Sequence, residues 1–238
     1  MKKTIILFIC MLFCLSIDIK AQKDESLTDF KFFRCGMYGT LGPSWMKPDM
    51  KDWKNEGMRF GYGFGFMAEF AVAPNLVIAS GFDVMYGSGK MKLSDTLFSY
   101  DNMTDKLSNI NSIYKIQYLQ IPITLKMRTN EINYFRYYMR VGGSLGLRIG
   151  TKYTEEISAQ DNSFIFRTYD NEKANNRISL FRATFDIGAG IEYSLGGTTA
   201  LLGEIYFNNG LTNSLKEYKN IKYKSILNYL MFKIGILF

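Results

Sequence analysis

Histidine is absent from all 238 residues, which removes the commonest general base and the commonest metal ligand at neutral pH. Cysteine is nearly as scarce, at Cys10, Cys14 and Cys35. The first two fall in an amino-terminal apolar run, so the rest of the chain holds Cys35 alone. An intramolecular disulfide and a cysteine metal site are both excluded there. Past that run, no apolar stretch reaches the ~20 residues that a membrane-crossing helix needs. Concentrated basic charge is missing too. The formal net charge is +7, of which Lys2, Lys3 and Lys20 against Asp18 supply +2. The other +5 is scattered, which argues against a nucleic-acid partner.

What is present begins with an export signature. "MKK" is a basic head, "TIILFICMLFCLSI" an apolar run, and "DIKAQ" places the small Ala21 before Gln22. That order is the plan of a cleaved secretory signal peptide, with the cut expected after Ala21. Residues 1–21 are then the signal and 22–238 one mature domain. The apolar run is short for a membrane anchor. Ile9 and Phe13 precede the two cysteines where lipid attachment wants a small residue.

The second feature is alternation. In "FRATFDIGAGIEY", Phe181, Ala183, Phe185, Ile187, Ala189, Ile191 and Tyr193 take one parity, and Arg182, Thr184, Asp186 and Glu192 with two glycines the other. Side chains alternate along a strand, so this is a β signal. Thirteen residues at about 3.3 Å each span roughly 43 Å, far beyond an ordinary half-buried strand. The same grammar recurs in "FGYGFGFMAEFAV", "RYYMRVGGSLGLRI", "ALLGEIYF" and "NYLMFKIGILF". It is less clean in "FFRCGMYGTL", "LVIASGFDVMY" and "YKIQYLQIPITLKMR". In the last, polar parity changes near Leu119–Gln120, which predicts a bulge. Pro122 there predicts a missing ladder hydrogen bond.

Eight strands result, separated alternately by short turn-rich gaps (Ala73–Asn75, Thr129–Phe135, Gly196–Thr198) and long polar ones. The long gaps are Gly42–Arg59, Ser88–Ser112, Thr151–Leu180 and Asn208–Ser225. Hydrocarbon over so long a face is tolerable where the solvent is lipid, and open sheet edges cannot sit in lipid. The expectation is an all-β, eight-stranded antiparallel up-and-down transmembrane barrel with four long extracellular loops. A soluble barrel would put the apolar face inside. The opposite face here carries Arg34, Lys126, Arg140, Arg148, Arg182 and Lys233 against Glu69, Asp83, Asp186, Glu192 and Glu204. An eight-stranded barrel is just wide enough for its own side chains to fill. These charges should therefore pair into a plugged lumen.

Motifs for chemistry are weak. "GGSLG" at Gly142–Gly146 fits a nucleophile elbow, but it sits in mid-strand and no histidine exists to serve Ser144. "GYGFG" lacks the helix and spacing of a phosphate loop. Gly61, Gly63 and Gly65 are expected to make room for long charged side chains. Asp101 with Asp105, and Glu155 with Glu156, lack calcium-loop spacing and read as solvated loop charge. No cofactor or metal is expected.

"YLQIPITLKMR" at Tyr118–Arg128, the Ala-Gln cleavage site and the aromatic Phe238 resemble the PorT-like outer-membrane β-barrel proteins of the Bacteroidota. The most specific part is Tyr118, Leu119, Ile121, Pro122, Leu125 and Lys126. The resemblance implies an eight-stranded barrel in the cell outer membrane. It implies insertion by the barrel-assembly machinery through the last strand, where Phe232 and Phe238 would form the assembly signal. The name-giving member is tied to type IX secretion and gliding. The expected role is a non-enzymatic structural or surface-recognition barrel, in contact with outer-membrane lipid and with a protein partner at loops or periplasmic turns. The alternatives are a type IX secretion component, a small pore and a membrane-embedded lipid-modifying enzyme.

Overall fold

The computed structural model describes residues 32–49, 53–95, 108–159, 165–173, 177–216 and 224–238. The expected signal peptide, its expected cleavage site and Asp101 and Asp105 lie outside the described residues. Nine strands follow in order: β1 Phe33–Pro48, β2 Trp53–Ala73, β3 Leu76–Asp95, β4 Ser108–Arg128 and β5 Phe135–Ala159. After them come β6 Ile165–Lys173, β7 Phe181–Gly196, β8 Thr199–Gly210 and β9 Ser225–Leu237.

Eight of the nine close into an antiparallel ring, β1-β2-β3-β4-β5-β7-β8-β9, with β9 paired back onto β1. The closure leaves no free edge among them, as hydrocarbon requires. β6 was not expected. It lies within the stretch assigned to a loop, Thr151–Leu180, and pairs with the far end of β5 from Lys152 to Ser158.

The expected long gaps are also largely strand. β1 runs on to Pro48 and β2 begins at Trp53, so most of Gly42–Arg59 is strand. β3 continues to Asp95 and β4 starts at Ser108. Polar residues there alternate with Met91, Tyr114 and Tyr153, a pattern hidden by the wet outer face. Glu155 and Glu156 accordingly sit in β5 rather than in a loop. The two rims thus differ in how far the strands continue past the apolar belt, not in loop length alone. The short-turn rim carries the connections at 74–75, 129–134 and 197–198.

The expected bulge at Leu119–Gln120 is absent. β4 keeps its even positions buried from Ser112 to Lys126. The register slips instead on β5: Gln117 faces Gly150 and Tyr118 faces Arg148, so Ile149 is the extra residue. The inward parity of β5 changes there from Tyr138 and Arg140 to Thr151 and Tyr153. What looked like a parity change in β4 is a change in what lines the lumen, from Tyr114, Ile116 and Tyr118 to Gln120, Thr124 and Lys126.

Candidate functional site

Outward positions carry hydrocarbon throughout the ring. Phe60, Tyr62, Phe64, Phe66, Met139, Leu145, Ile187, Ile205 and Ile234 are all exposed. Cys35 is exposed beside them as a free thiol. The inward positions hold nearly every chemically distinctive group, so the site to be built is the lumen.

Its first layer lies near the short-turn rim. The Arg34 guanidinium reaches Glu69 at 2.6 Å and both oxygens of Glu192 at 3.0 and 3.1 Å. Lys126 Nζ donates to Glu69 at 2.6 Å and also to Glu192. Two cations and two carboxylates form a closed quartet from β1, β2, β4 and β7. Lys126 further lies 4.0 Å from the centroid of the Tyr138 ring.

The second layer centres on Glu204 of β8. It accepts from Arg140, from the Tyr138 hydroxyl at 2.9 Å, and has Lys233 Nζ at 3.8 Å. Lys233 sits between the Tyr38 and Tyr206 rings, 4.4 and 4.9 Å from their centroids. Tyr38 donates its hydroxyl to Asp83 at 2.7 Å. A cavity of about 20 Å³ lies between these layers, lined by Glu69, Lys126, Arg140, Glu204 and Lys233 among others. That is room for about one water.

The third layer departs from the expectation that opposite charges pair directly. Asp186 touches neutral donors: Ser144 and Asn208 closely, and the Thr184 hydroxyl at 3.3 Å. Arg182 donates to the Asn208 side-chain oxygen at 2.6 Å and to the Leu227 carbonyl at 2.8 Å. It lies over the Tyr229 and Tyr118 rings at 4.9 and 5.6 Å. Asn208 therefore links Arg182 to Asp186 through its amide, because one side chain can accept and donate at once.

Beyond Arg182 the lumen turns to Met46, Met85, Met91, Met231, Tyr114, Tyr118, Tyr153 and Tyr229. Ile178 and Leu215 bridge across this end and are buried in the same cluster. Residues 177–180 and 211–216 continue the wall between β5 and β9, tied to each other by Ser179 N to Ser214 O at 2.9 Å and Lys216 N to Arg177 O at 2.8 Å. A last ion pair, Arg177 to Glu155 at 2.6 Å, sits at the rim.

Of the eleven charges expected inside, ten are buried in these layers. Arg148 is half-buried at the rim, where it donates to the Ile178 carbonyl. Ser144 is an ordinary lumen hydroxyl on Asp186. The inward glycines serve mainly methionine and hydroxyl groups rather than long charges. A Cβ on Gly63 would stand 2.4 Å from the Met85 sulfur, and one on Gly61 3.0 Å from the Met231 methyl. At Gly65 the obstacle is Asp83, with its Cβ at 2.5 Å. Tyr38, Tyr206 and Asn208 were missed by sequence reasoning, although all three sit on inward parities of their strands, and Tyr138, which alternation puts on the inward face beside Arg140, was given no role. A search for charge alone passed over them.

The Tyr118–Lys126 element is built into the wall. Tyr118, Pro122 and Lys126 are buried on the inward side; Ile121 and Leu125 are exposed, and Leu119 is half-buried. The Pro122 carbonyl accepts from Ser80 Oγ at 2.9 Å. Phe232 and Phe238 are both exposed on the outer face. Among the described residues no cluster of acidic, cysteine or histidine side chains could hold a metal.

Comparison with known proteins follows the same direction. The family model described as "Outer membrane protein beta-barrel domain" matches residues 21–216. The neisserial surface protein A is similar over 87% of this chain and 97% of its own, at 10% identity and a TM-score of 0.41. The outer membrane protein OprG from Pseudomonas aeruginosa is similar over 86% and 93%, at 12% identity and 0.40. Ail, the attachment invasion locus protein of Yersinia pestis, is similar over 88% and 100%, at 11% identity and 0.33. Among curated protein sequences none matches the chain.

Proposed function

The chain belongs to the outer membrane protein beta-barrel domain family and resides in the outer membrane, and on that premise we propose that it is a non-enzymatic barrel with a plugged lumen, acting as a structural or surface-recognition protein. One observation carries this reading. Five buried cations and five buried carboxylates interlock across the lumen, and Ile178 and Leu215 are buried in the apolar cluster that fills the end they leave. Ions crossing such a tube would have to break contacts that are costly to leave unmade. Function then falls to the rims. The short-turn rim faces the periplasm and the extended rim the exterior, as in bacterial outer-membrane barrels. Partners would be recognised at one or the other. Export uses residues 1–21 as a cleaved signal, and insertion uses β9 with Phe232 and Phe238.

The test is conductance. Purified barrel in planar bilayers should show no steady current; a stable open channel of porin size would make transport the leading function. Incubation with lipid A and with peptides should leave both intact. Ser144 would be the first candidate if either were cleaved, although its hydroxyl is engaged by Asp186.

The resemblance carried by "YLQIPITLKMR" favours a second reading, a component of type IX secretion in a member of the Bacteroidota. Deletion of the gene should then retain secreted cargo in the periplasm. Normal export in the deletion strain would remove this reading and leave the first.

A further inference from the structure

Above the apolar belt, the outer face of the extended strands carries charge in an arrangement that the sheet itself does not favour. Lys115, Lys152 and Lys173 stand directly opposite one another on β4, β5 and β6. Lys54 stands directly opposite Lys92 on β2 and β3. Directly opposed residues share a face with Cβ atoms about 5 Å apart, and like charges so placed are destabilising. The face is the outer one, since the alternate residues Met91, Tyr114 and Tyr153 are buried inside. Lys54, Lys115, Lys152 and Lys173 are exposed. Lys90 and Lys92 share Glu56 at 2.7 and 3.9 Å. Lys115 donates to Asn171 at 2.9 Å. The face also carries Asp170, held by Thr154 at 3.0 Å and Asn171 at 2.9 Å, and Glu156. Among the described residues of β2 to β6, these six lysines against three carboxylates leave it cationic.

The depth of the row identifies its counter-charge. On β3 the outward series is Phe82, Val84, Tyr86, then Ser88, Lys90 and Lys92; on β4 it is Ile121, Leu119, Gln117, then Lys115. On β5, Lys152 follows Leu145, Leu147 and Ile149. Tyr86 stacks on Tyr62 at 4.6 Å where the apolar series ends, as an aromatic girdle does at a membrane interface. One outward step along a strand is about 6.6 Å. The lysines therefore stand at headgroup depth.

We propose that this lysine row docks the phosphorylated headgroup of an outer-leaflet lipid, with phosphate oxygens lying across Lys115, Lys152 and Lys173. Anionic oxygens between the ammonium groups turn the repulsion of the row into charge-assisted hydrogen bonds. The inference rests on the extended rim facing the exterior.

The mature barrel is folded into nanodiscs of phosphatidylcholine, with and without bisphosphorylated lipid A. The variant Lys115→Gln/Lys152→Gln/Lys173→Gln should bind lipid A on the order of 100-fold more weakly, about fivefold per lysine. In phosphatidylcholine alone the same variant should melt above wild type, because the opposed charges are gone. That second reading also shows that the variant folds. A control, Lys47→Gln/Lys216→Gln/Lys224→Gln, removes exposed rim lysines outside the row and should bind as wild type does. Equal losses in the two variants, or no loss in either, would overturn the proposal. Stabilisation of wild type by inorganic phosphate as strong as that by lipid A would reassign the row to free anions. None of these outcomes bears on the closed lumen, which conductance reads separately.

Discussion

Toward the short-turn rim the inward positions carry Arg34, Glu69, Lys126 and Glu192 in mutual contact, whereas toward the extended rim the same parities carry Met46, Met85, Met91 and Met231 among tyrosines. Both halves fill an eight-stranded tube with their own side chains. They do so with opposite tolerances. A charge quartet is directional, and each member contacts two others, so one deletion leaves the remaining three with an unbalanced buried charge. Methionine is unbranched and polarizable, so it adapts to gaps that a rigid side chain would leave. The barrel is thus specified at one end by ion pairs and sealed at the other by adaptable packing. The first half should therefore respond to substitution much more sharply than the second.

The largest effect is expected from Glu192→Ala. It leaves Arg34 and Lys126 to share Glu69 alone, with one buried positive charge in excess, and breaking a buried pair by removing one partner costs about 3–5 kcal/mol. Urea titrations of folding in bilayers would measure it. Adding Lys126→Met should recover part of the loss. A loss below about 1 kcal/mol would mean that water screens the quartet.

The next tests the outer wall against the inner one. Ile187 is 43% exposed on the lipid face, and Ile187→Arg should cost about 2–4 kcal/mol near the midplane. A negligible loss in the same titrations would contradict its placement in hydrocarbon.

Asp186→Ala should cost less than Glu192→Ala, about 1–3 kcal/mol, because it strands hydroxyl and amide donors rather than a directly paired cation. Equal losses would mean that Asn208 transmits the Arg182 charge as effectively as direct contact. In the packed half, Met85→Leu conserves volume and should cost less than about 1.5 kcal/mol.

How much of this could be read from the chain follows from what alternation encodes. Parity along Phe181–Tyr193 assigned Arg182, Asp186 and Glu192 to the interior, because one face had to meet lipid. Parity says which wall a side chain leaves, not which neighbour it meets. That choice depends on strand stagger, so Glu192 found Arg34, 158 positions away, while Asp186 found Ser144, Thr184 and Asn208. The extended segments were illegible for another reason. Where strands stand in water, their outer face is polar, and β2 above Arg59 or β5 beyond Ile149 reads as loop. β6 is hidden in the same way.

The smallest effect sharpens the comparison most, because it repeats the chemistry of the quartet in a wetter place. Arg177 and Glu155 meet at 2.6 Å, as close as Arg34 and Glu69, yet their side chains are 28% and 13% exposed instead of 6% and 3%. Water and salt reach the outer pair, so its attraction is screened and its desolvation is incomplete. Glu155→Gln should therefore cost about 0–1 kcal/mol, and raising salt should shrink the difference from wild type. The loss from Glu192→Ala should hold under the same salt. Arg177 also lies 4.5 Å from the centroid of the Tyr153 ring, so the guanidinium keeps a partner when the carboxylate is gone. A salt-independent loss at Glu155 as large as that at Glu192 would show that burial is not what separates the two ends of this barrel.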